Sequence, residues 1–229
     1  MRKAISICLL ITLAALATFL ATPVEATLKK SKHSTASLRD GDLIFQQSVS
    51  DLSTAIQMAT HSKYSHCGIL YKNEKGWQVF EAVQPVCLTP LEDWIARGAN
   101  KHYVIKRLKN TGVLTPEALK KMKAYGETLQ GRDYDIYFNW GDERIYCSEL
   151  IWKIYRHGTG LEIGKLQKLR EFDLSSKLVQ QKLREHYGNA VPLDEPVISP
   201  VSVFNSDLLE TVSKYVTRYS LLVSCEWVI

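Results

Sequence analysis

His66-Cys67-Gly68-Ile69-Leu70-Tyr71 and Trp77-Gln78-Val79-Phe80-Glu81-Ala82-Val83, separated by the polar Lys72-Asn73-Glu74-Lys75-Gly76, read as the two strands of a hairpin. A loop of Lys72 to Lys75 sets Tyr71 against Gly76, Gly68 against Val79 and His66 against Glu81. Directly opposed residues share a face, so this register puts an imidazole beside a carboxylate on one side of the sheet. A slip of one residue would send them to opposite faces. Glu81 stands among Val79, Phe80, Ala82 and Val83, an apolar setting in which an unpaired carboxylate is costly.

Upstream, Gly41-Asp42-Leu43-Ile44-Phe45 reads as a turn into a strand, followed by a short helix from about Asp51 to Thr60. Downstream, Thr89-Pro90-Leu91-Glu92 reads as a helix start, with Thr89 as N-cap, Pro90 at the first helical position and Glu92 at the third. A strand is expected over His102 to Leu108, and a second helix opens at Thr115-Pro116-Glu117 and runs to about Leu129. After the aromatic stretch Tyr134-Asp135-Ile136-Tyr137-Phe138, Cys147 begins a helical pattern in which Leu150, Ile151 and Ile154 follow on the same face. The spacing then predicts a charged amphipathic helix over Asp173 to His186 and an extended crossing segment marked by Pro192, Pro196 and Pro200. A short helix around Asp207 to Val212 and a strand around Tyr215 to Val228 close the reading. Strands and helices mix without a regular βαβ alternation and without repeats, which points to an α+β layer fold.

The 229 residues, 45% hydrophobic and 23% charged, exclude a collagen, a coiled-coil rod and a low-complexity chain. Met1-Arg2-Lys3, an apolar run from Ala4 to Ala21, and Val24-Glu25-Ala26 have the make-up of a secretory signal peptide over residues 1–26. Residues 27–37 then form a flexible lead-in and 38–229 one domain, exported to the periplasm or beyond. Contact with a membrane is expected only through the leading segment, if it stays uncleaved. The net charge of +5 is mild and comes without a long basic stripe interleaved with aromatics, so nucleic acid is not an expected partner.

Processing would reduce five cysteines to Cys67, Cys87, Cys147 and Cys225. An even count invites two disulfides, and the alternative is that one thiol is kept free for chemistry. There is no Cys-x-x-Cys pair and no ligand-pair spacing, so neither a metal nor another cofactor is implied. Cys147 lies at a loop-to-helix junction, where free backbone amides and the positive end of the helix dipole stabilise a thiolate. His66 could then take a proton from that thiol while Glu81 orients the ring, the general arrangement of an activated nucleophile. The competing readings make Cys147 a small core residue, or the whole chain an exported, non-catalytic binding domain.

Gly41-Asp42-Leu43-Ile44-Phe45, Ser65-His66-Cys67-Gly68-Ile69, Phe80-Glu81-Ala82 and Tyr146-Cys147-Ser148-Glu149-Leu150-Ile151-Trp152, in this order, resemble the YiiX branch of the NlpC-related cysteine hydrolases. The resemblance runs from about Arg39 to Tyr155 and continues weakly to Ile198-Ser199-Pro200. It implies a circularly permuted papain-like fold, shared with relatives of lecithin retinol acyltransferase, with an antiparallel sheet or partial barrel and the nucleophile at a helix N-terminus. It also implies Cys147 as nucleophile, His66 as general base, Glu81 as the orienting residue and Tyr134 as a residue lining the site, there as a second oxyanion donor beside the Cys147 amide. Cys67 departs from the pattern, since an apolar residue is expected beside the histidine; it is expected to point into the opposite layer. The implied activity is that of an amidase or peptidase forming an acyl-enzyme, with cell-wall peptides as candidate substrate. The alternative substrate is a lipid acyl group, for which Trp94, Tyr137, Phe138 and Trp140 are candidate groove residues.

Overall fold

A computed structural model describes residues 37–215 of the chain. Along it run β1 (Leu43–Gln46), α1 (Asp51–Thr60), β2 (His66–Asn73), β3 (Gly76–Glu81), β4 (Cys87–Pro90), α2 (Leu91–Arg97), β5 (Tyr103–Leu108) and α3 (Pro116–Leu129). The short β6 (Asp133–Tyr134) and β7 (Arg144–Ile145) lead to α4 (Cys147–Thr159), followed by β8 (Gln167–Lys168), α5 (Lys177–Tyr187), β9 (Pro196–Val197), α6 (Pro200–Phe204) and β10 (Leu209–Tyr215). The main sheet has the order β10-β5-β1-β2-β3-β4 and is antiparallel throughout, giving an α+β fold. The expected leading segment, residues 1–26, lies outside the described residues. Among those described, no helix is long and apolar enough to cross a membrane.

Side chains alternate across the sheet, and each face meets its own helices. Leu43, Phe45, Cys67, Ile69 and Phe80 bury against Met122 of α3 and Cys147, Leu150, Ile151 and Ile154 of α4. Ile44, Leu70, Val79 and Ile105 bury against Leu91, Trp94 and Ile95 of α2. The stripe that begins at Cys147 is therefore the inner face of a helix laid across the strands, with Leu150, Ile151 and Ile154 fully buried. Asp42, also fully buried, takes both Nε and Nη2 of Arg107 at 2.7 Å, which fixes β1 against β5 and explains the charged residue inside the Gly41-to-Phe45 motif.

The β2–β3 hairpin differs from the sequence expectation in one respect. Asn73 pairs with Gly76 and Ile69 with Phe80, so the loop holds two residues rather than four and the register moves by two. The Asn73 side chain accepts from the Lys75 amide at 2.9 Å, and Gly76 adopts φ +99°, which together close the tighter turn. A shift of two preserves parity, so His66 and Glu81 still share a face, now as diagonal rather than direct neighbours. Continuing the ladder one step sets Glu81 opposite Gly68, and the missing side chain there lets the carboxylate lean across. A Cβ at Gly68 would lie 2.4 Å from Val79 Cγ1, 2.9 Å from the Phe80 carbonyl and 3.4 Å from Glu81 Cβ. Gly68→Ala is accordingly expected to cost about 1–3 kcal/mol of stability, measured by denaturant unfolding.

Three other expectations are corrected. Thr89 is not an N-cap: it belongs to β4, Pro90 precedes α2, and the Thr89 hydroxyl donates instead to Glu81 Oε1 at 2.5 Å. The charged helix begins at Lys177 rather than Asp173, because Asp173 accepts from the Ser175 amide in a local turn and Ser176 supplies the cap to Val179. Residues 209–212 are strand, not helix. They add β10 to the edge of β5, where paired backbone outweighs the local helical pattern; the rest of the expected Tyr215–Val228 strand lies outside the described residues. The helices Asp51–Thr60 and Pro116–Leu129 start and end where the sequence places them, the second capped by Thr115 on the Ala118 amide.

Candidate active site

Three elements converge at the end of the sheet where β2 begins. His66 is the first residue of β2, Glu81 the last of β3 and Cys147 the first of α4. His66 Nε2 lies 2.5 Å from Glu81 Oε2. The same ring lies near enough to Cys147 for the two groups to shift each other's titration. All three side chains are buried.

Glu81 is the most heavily bonded group of the site. Besides His66 it accepts from Thr89 Oγ1 and Arg97 Nη2 on Oε1, each at 2.5 Å, and from Trp94 Nε1 on Oε2 at 2.9 Å. Trp94 and Arg97 sit one turn apart on α2, so both donors project from one helix face. Trp94 also stacks on His66, with ring centroids 5.9 Å apart. Burial alone would raise the Glu81 carboxyl, but the hydrogen bond and charge of His66, with Thr89 and Arg97, hold it below the ordinary carboxylate value.

The thiol and imidazole are shifted toward an ion pair. Cys147 is held well below the ordinary thiol value, first by a hydrogen bond from the Cys67 thiol, against the opposing effect of burial, and then by the hydrogen bond and charge of His66. The Cys67 backbone amide adds a further hydrogen bond. Burial disfavours charge on His66, yet its hydrogen bonds to Cys147 and Glu81 carry it up to about 9. Both shifts favour the thiolate–imidazolium form of the pair. The rate of Cys147 alkylation by iodoacetamide is expected to persist well below the pH at which a free thiol stops reacting. Hydrolysis is expected to decline as pH rises through about 9, where His66 loses its proton.

Cys67 does lie in the layer opposite His66, as the alternation of β2 requires, but that is the layer in which Cys147 stands. It therefore packs in the same buried cluster as the candidate nucleophile, a consequence that follows from the packing of α4 on β2. Among the described residues Cys67, Cys87 and Cys147 are all free thiols; Cys225 lies outside them. Tyr134 is brought in by the parallel pairing of β6 with β7, which sets it beside Ile145, two residues before Cys147. Its hydroxyl hydrogen-bonds Cys147, and burial followed by the nearby sulfur charge raises it well above the ordinary phenol value, keeping it a proton donor. The Cys147 amide, at the first helical position, has no acceptor within its own helix.

An apolar cavity opens onto Cys147. Its walls come from α1 (Leu52, Ala55, Ile56), from α5 (Val179, Leu183) and from the Val197-to-Pro200 segment. That segment is clamped to the start of α4: the Ile198 amide donates to Tyr146 Oη at 3.1 Å, and Ser148 Oγ donates to the Ile198 carbonyl at 2.7 Å. Of the four aromatic residues considered for an acyl groove, Phe138 lines this cavity. Trp94 serves Glu81 instead, Trp140 packs on Trp152, and Tyr137 packs on Tyr187. Thr89, Arg97 and the α1–α5 wall were not singled out as site residues by sequence, and Trp94 was expected in an acyl groove rather than on Glu81. A hydroxyl, an indole and a guanidinium following a carboxylate in an apolar run are the signal that was present.

The order histidine, acid, cysteine along the chain, with the thiol opening a helix that packs across an antiparallel sheet, is a permuted papain arrangement. Residues 37–213 match the family described as permuted papain-like amidase enzyme, YaeF/YiiX, C92 family. The chain belongs to this YaeF/YiiX family. It is 49% identical over 174 residues, 76% of its own length and 85% of the relative's, to the uncharacterized protein YiiX of Escherichia coli strain K12. A solved structure described as metalloprotein yiiX from Escherichia coli O157:H7, DUF1105, superposes with a TM-score of 0.74 at 48% identity. That match covers 78% of this chain and 98% of the other. The resemblance noted in the sequence is thus to the right branch, and as a member of the YaeF/YiiX amidase family the chain is a papain-like cysteine hydrolase.

Proposed function

We propose that Cys147 attacks an acyl carbonyl to form an acyl-enzyme, that His66 moves the proton, that Glu81 holds His66, and that the acyl group is apolar. The observation that carries this reading is that Cys147, whose thiol is held low beside His66, lines a cavity walled mainly by aliphatic and aromatic side chains. In the first step the sulfur adds to the carbonyl, and His66 protonates the leaving amine or alcohol. In the second, His66 takes a proton from water, which displaces the thiolate. The Cys147 amide and the Tyr134 hydroxyl are the donors available to the oxyanion.

An apolar acyl chain fits these mainly apolar walls, in which Lys182 and His186 are the basic side chains, better than a polar cell-wall stem peptide does. The apolar leading segment supports an exported enzyme. The solved relative is described as a metalloprotein, but the donor set of this chain does not fit a metal at the site. Among the described residues no three His, Cys, Asp or Glu side chains gather as ligands, and the Glu81 oxygens are already taken by four donors, one of them the cationic Arg97.

The test is a panel of N-acyl amides and acyl esters of increasing chain length set against muropeptides, with mass spectrometry for the acyl-enzyme. Turnover is expected to rise with acyl length. Ala55→Phe, which fills the cavity from α1, is expected to raise KM for long acyl groups about tenfold or more and to leave short ones nearly unchanged. Preference for muropeptides, with Ala55→Phe having no effect on them, would discard the acyl reading.

A further inference from the structure

Cys67 makes no step of the hydrolysis described above, yet it shares the buried cluster of the sulfur that does and lies near enough to lower that sulfur's titration. Both thiols are free, and both are buried, with Cys67 inaccessible and Cys147 2% exposed. They sit on elements that pack directly, Cys67 on β2 and Cys147 on α4. Their exposure to small molecules differs: Cys147 lines the cavity, whereas Cys67 is not among the cavity residues and lies behind it. A small oxidant entering the cavity therefore meets Cys147 first. We propose that Cys67 is a resolving thiol, and that oxidation of the site by a peroxide ends in a reversible Cys67–Cys147 disulfide. This rests on Cys147 being the reactive thiolate of the proposed function.

The chemistry balances with a peroxide as the oxidant. The Cys147 thiolate attacks one peroxide oxygen, the O–O bond breaks, and Cys147 becomes a sulfenic acid while hydroxide, or an alkoxide, leaves. The Cys67 sulfur then attacks the Cys147 sulfur. The S–O bond breaks, the departing hydroxide takes the Cys67 proton, and water is released as the S–S bond forms. While Cys147 is a thiolate, burial and that neighbouring charge keep Cys67 protonated; the sulfenic acid is neutral, which removes the charge opposing ionisation of Cys67. Without a partner in contact, a second peroxide would carry Cys147 to the irreversible sulfinic acid. A dithiol reductant reverses the disulfide by exchange.

The experiment treats the reduced full-length chain with graded hydrogen peroxide, blocks free thiols, and maps peptides without reduction. The expected product is an intrachain Cys67–Cys147 link with loss of two hydrogens in mass. Hydrolysis is expected to be lost, then recovered at least about tenfold by dithiothreitol. In Cys67→Ala the expected product is Cys147 carrying two oxygens, with no recovery. Cys67→Ser serves the same purpose should the alanine variant not fold, and Cys87→Ser is expected to keep the link. Oxidation of wild-type Cys147 to the sulfinic acid with Cys67 still alkylatable overturns the proposal, as does a link from Cys147 to any other cysteine or chain, or no reaction at Cys147. A mapped link in a protein that hydrolyses no acyl substrate would refute the proposed function and leave this inference standing; hydrolysis without the link does the reverse.

Discussion

Cys147→Ala is expected to reduce hydrolysis by at least about 10⁴-fold while the protein remains folded. Removing the nucleophile of a triad enzyme costs nearly as much as removing the whole triad, because the other members have nothing to activate. The fold has little reason to respond. Cys147 contributes one small side chain to a stripe whose bulk is Leu150, Ile151 and Ile154, and His66 keeps its bond to Glu81 when the sulfur is gone. Unfolding free energy is expected to stay within about 2 kcal/mol of wild type. Steady-state kinetics with an acyl substrate and urea unfolding on the same preparation check both halves. Turnover within tenfold of wild type would remove Cys147 from the mechanism, since no other group in the cavity has the chemistry of a nucleophilic thiolate.

The second large effect belongs to Glu81, and it is felt in stability as well as in rate. Glu81→Ala leaves a buried imidazole, an indole N–H, a hydroxyl and a guanidinium without their common acceptor. Breaking a buried ion pair from one side costs about 3–5 kcal/mol. Arg97 is 47% exposed in its side chain and can return to water, which places the expected loss toward the lower end of that range. Glu81→Gln keeps the shape but turns an amide N–H toward groups that are all donors, and it removes the charge that supports imidazolium. Its rate is expected to fall by about 10²- to 10⁴-fold, the alkaline decline moving to lower pH as His66 loses support. The stability difference has a definite sign with pH. The folded Glu81 carboxyl is held below its unfolded value, so its contribution is fully present above pH 4.5 and is lost as pH falls through the folded pKa. Thermal unfolding of wild type and Glu81→Gln is therefore expected to converge in acid, and a gap that stays constant into acid would contradict the carboxylate's role.

How much of this was readable from sequence follows from how local each signal is. The helices opened by Ser50 and by Thr115-Pro116 were readable because their caps are set by side chains reaching three residues along the chain. The start of α4 was readable because its stripe begins at the residue that begins the helix. The face shared by His66 and Glu81 was readable through parity alone, even though the turn was two residues shorter than expected. Thr89 misled for an instructive reason: Thr-Pro-x-Glu is a sound helix start, but a buried carboxylate eight residues earlier offered the hydroxyl a stronger partner than a backbone amide. The meaning of Cys67 and the cavity wall were out of reach, because both depend on which helix covers which face and on segments eighty or more residues apart.

The clamp between Ile198 and the start of α4 makes one wall of the cavity a late addition to the chain. Tyr146 and Ser148 hold Ile198 across an interval of some fifty residues, and the Val197-to-Pro200 segment is one wall of the space above the thiolate. A growing polypeptide already contains His66, Glu81 and Cys147 well before that wall has been synthesised. Until residue 200 has been joined, the cavity beside the sulfur lacks that wall. The closing of the cavity beside Cys147 thus waits on residues some fifty positions beyond it, and a chain that stops short of them carries its reactive groups without that wall.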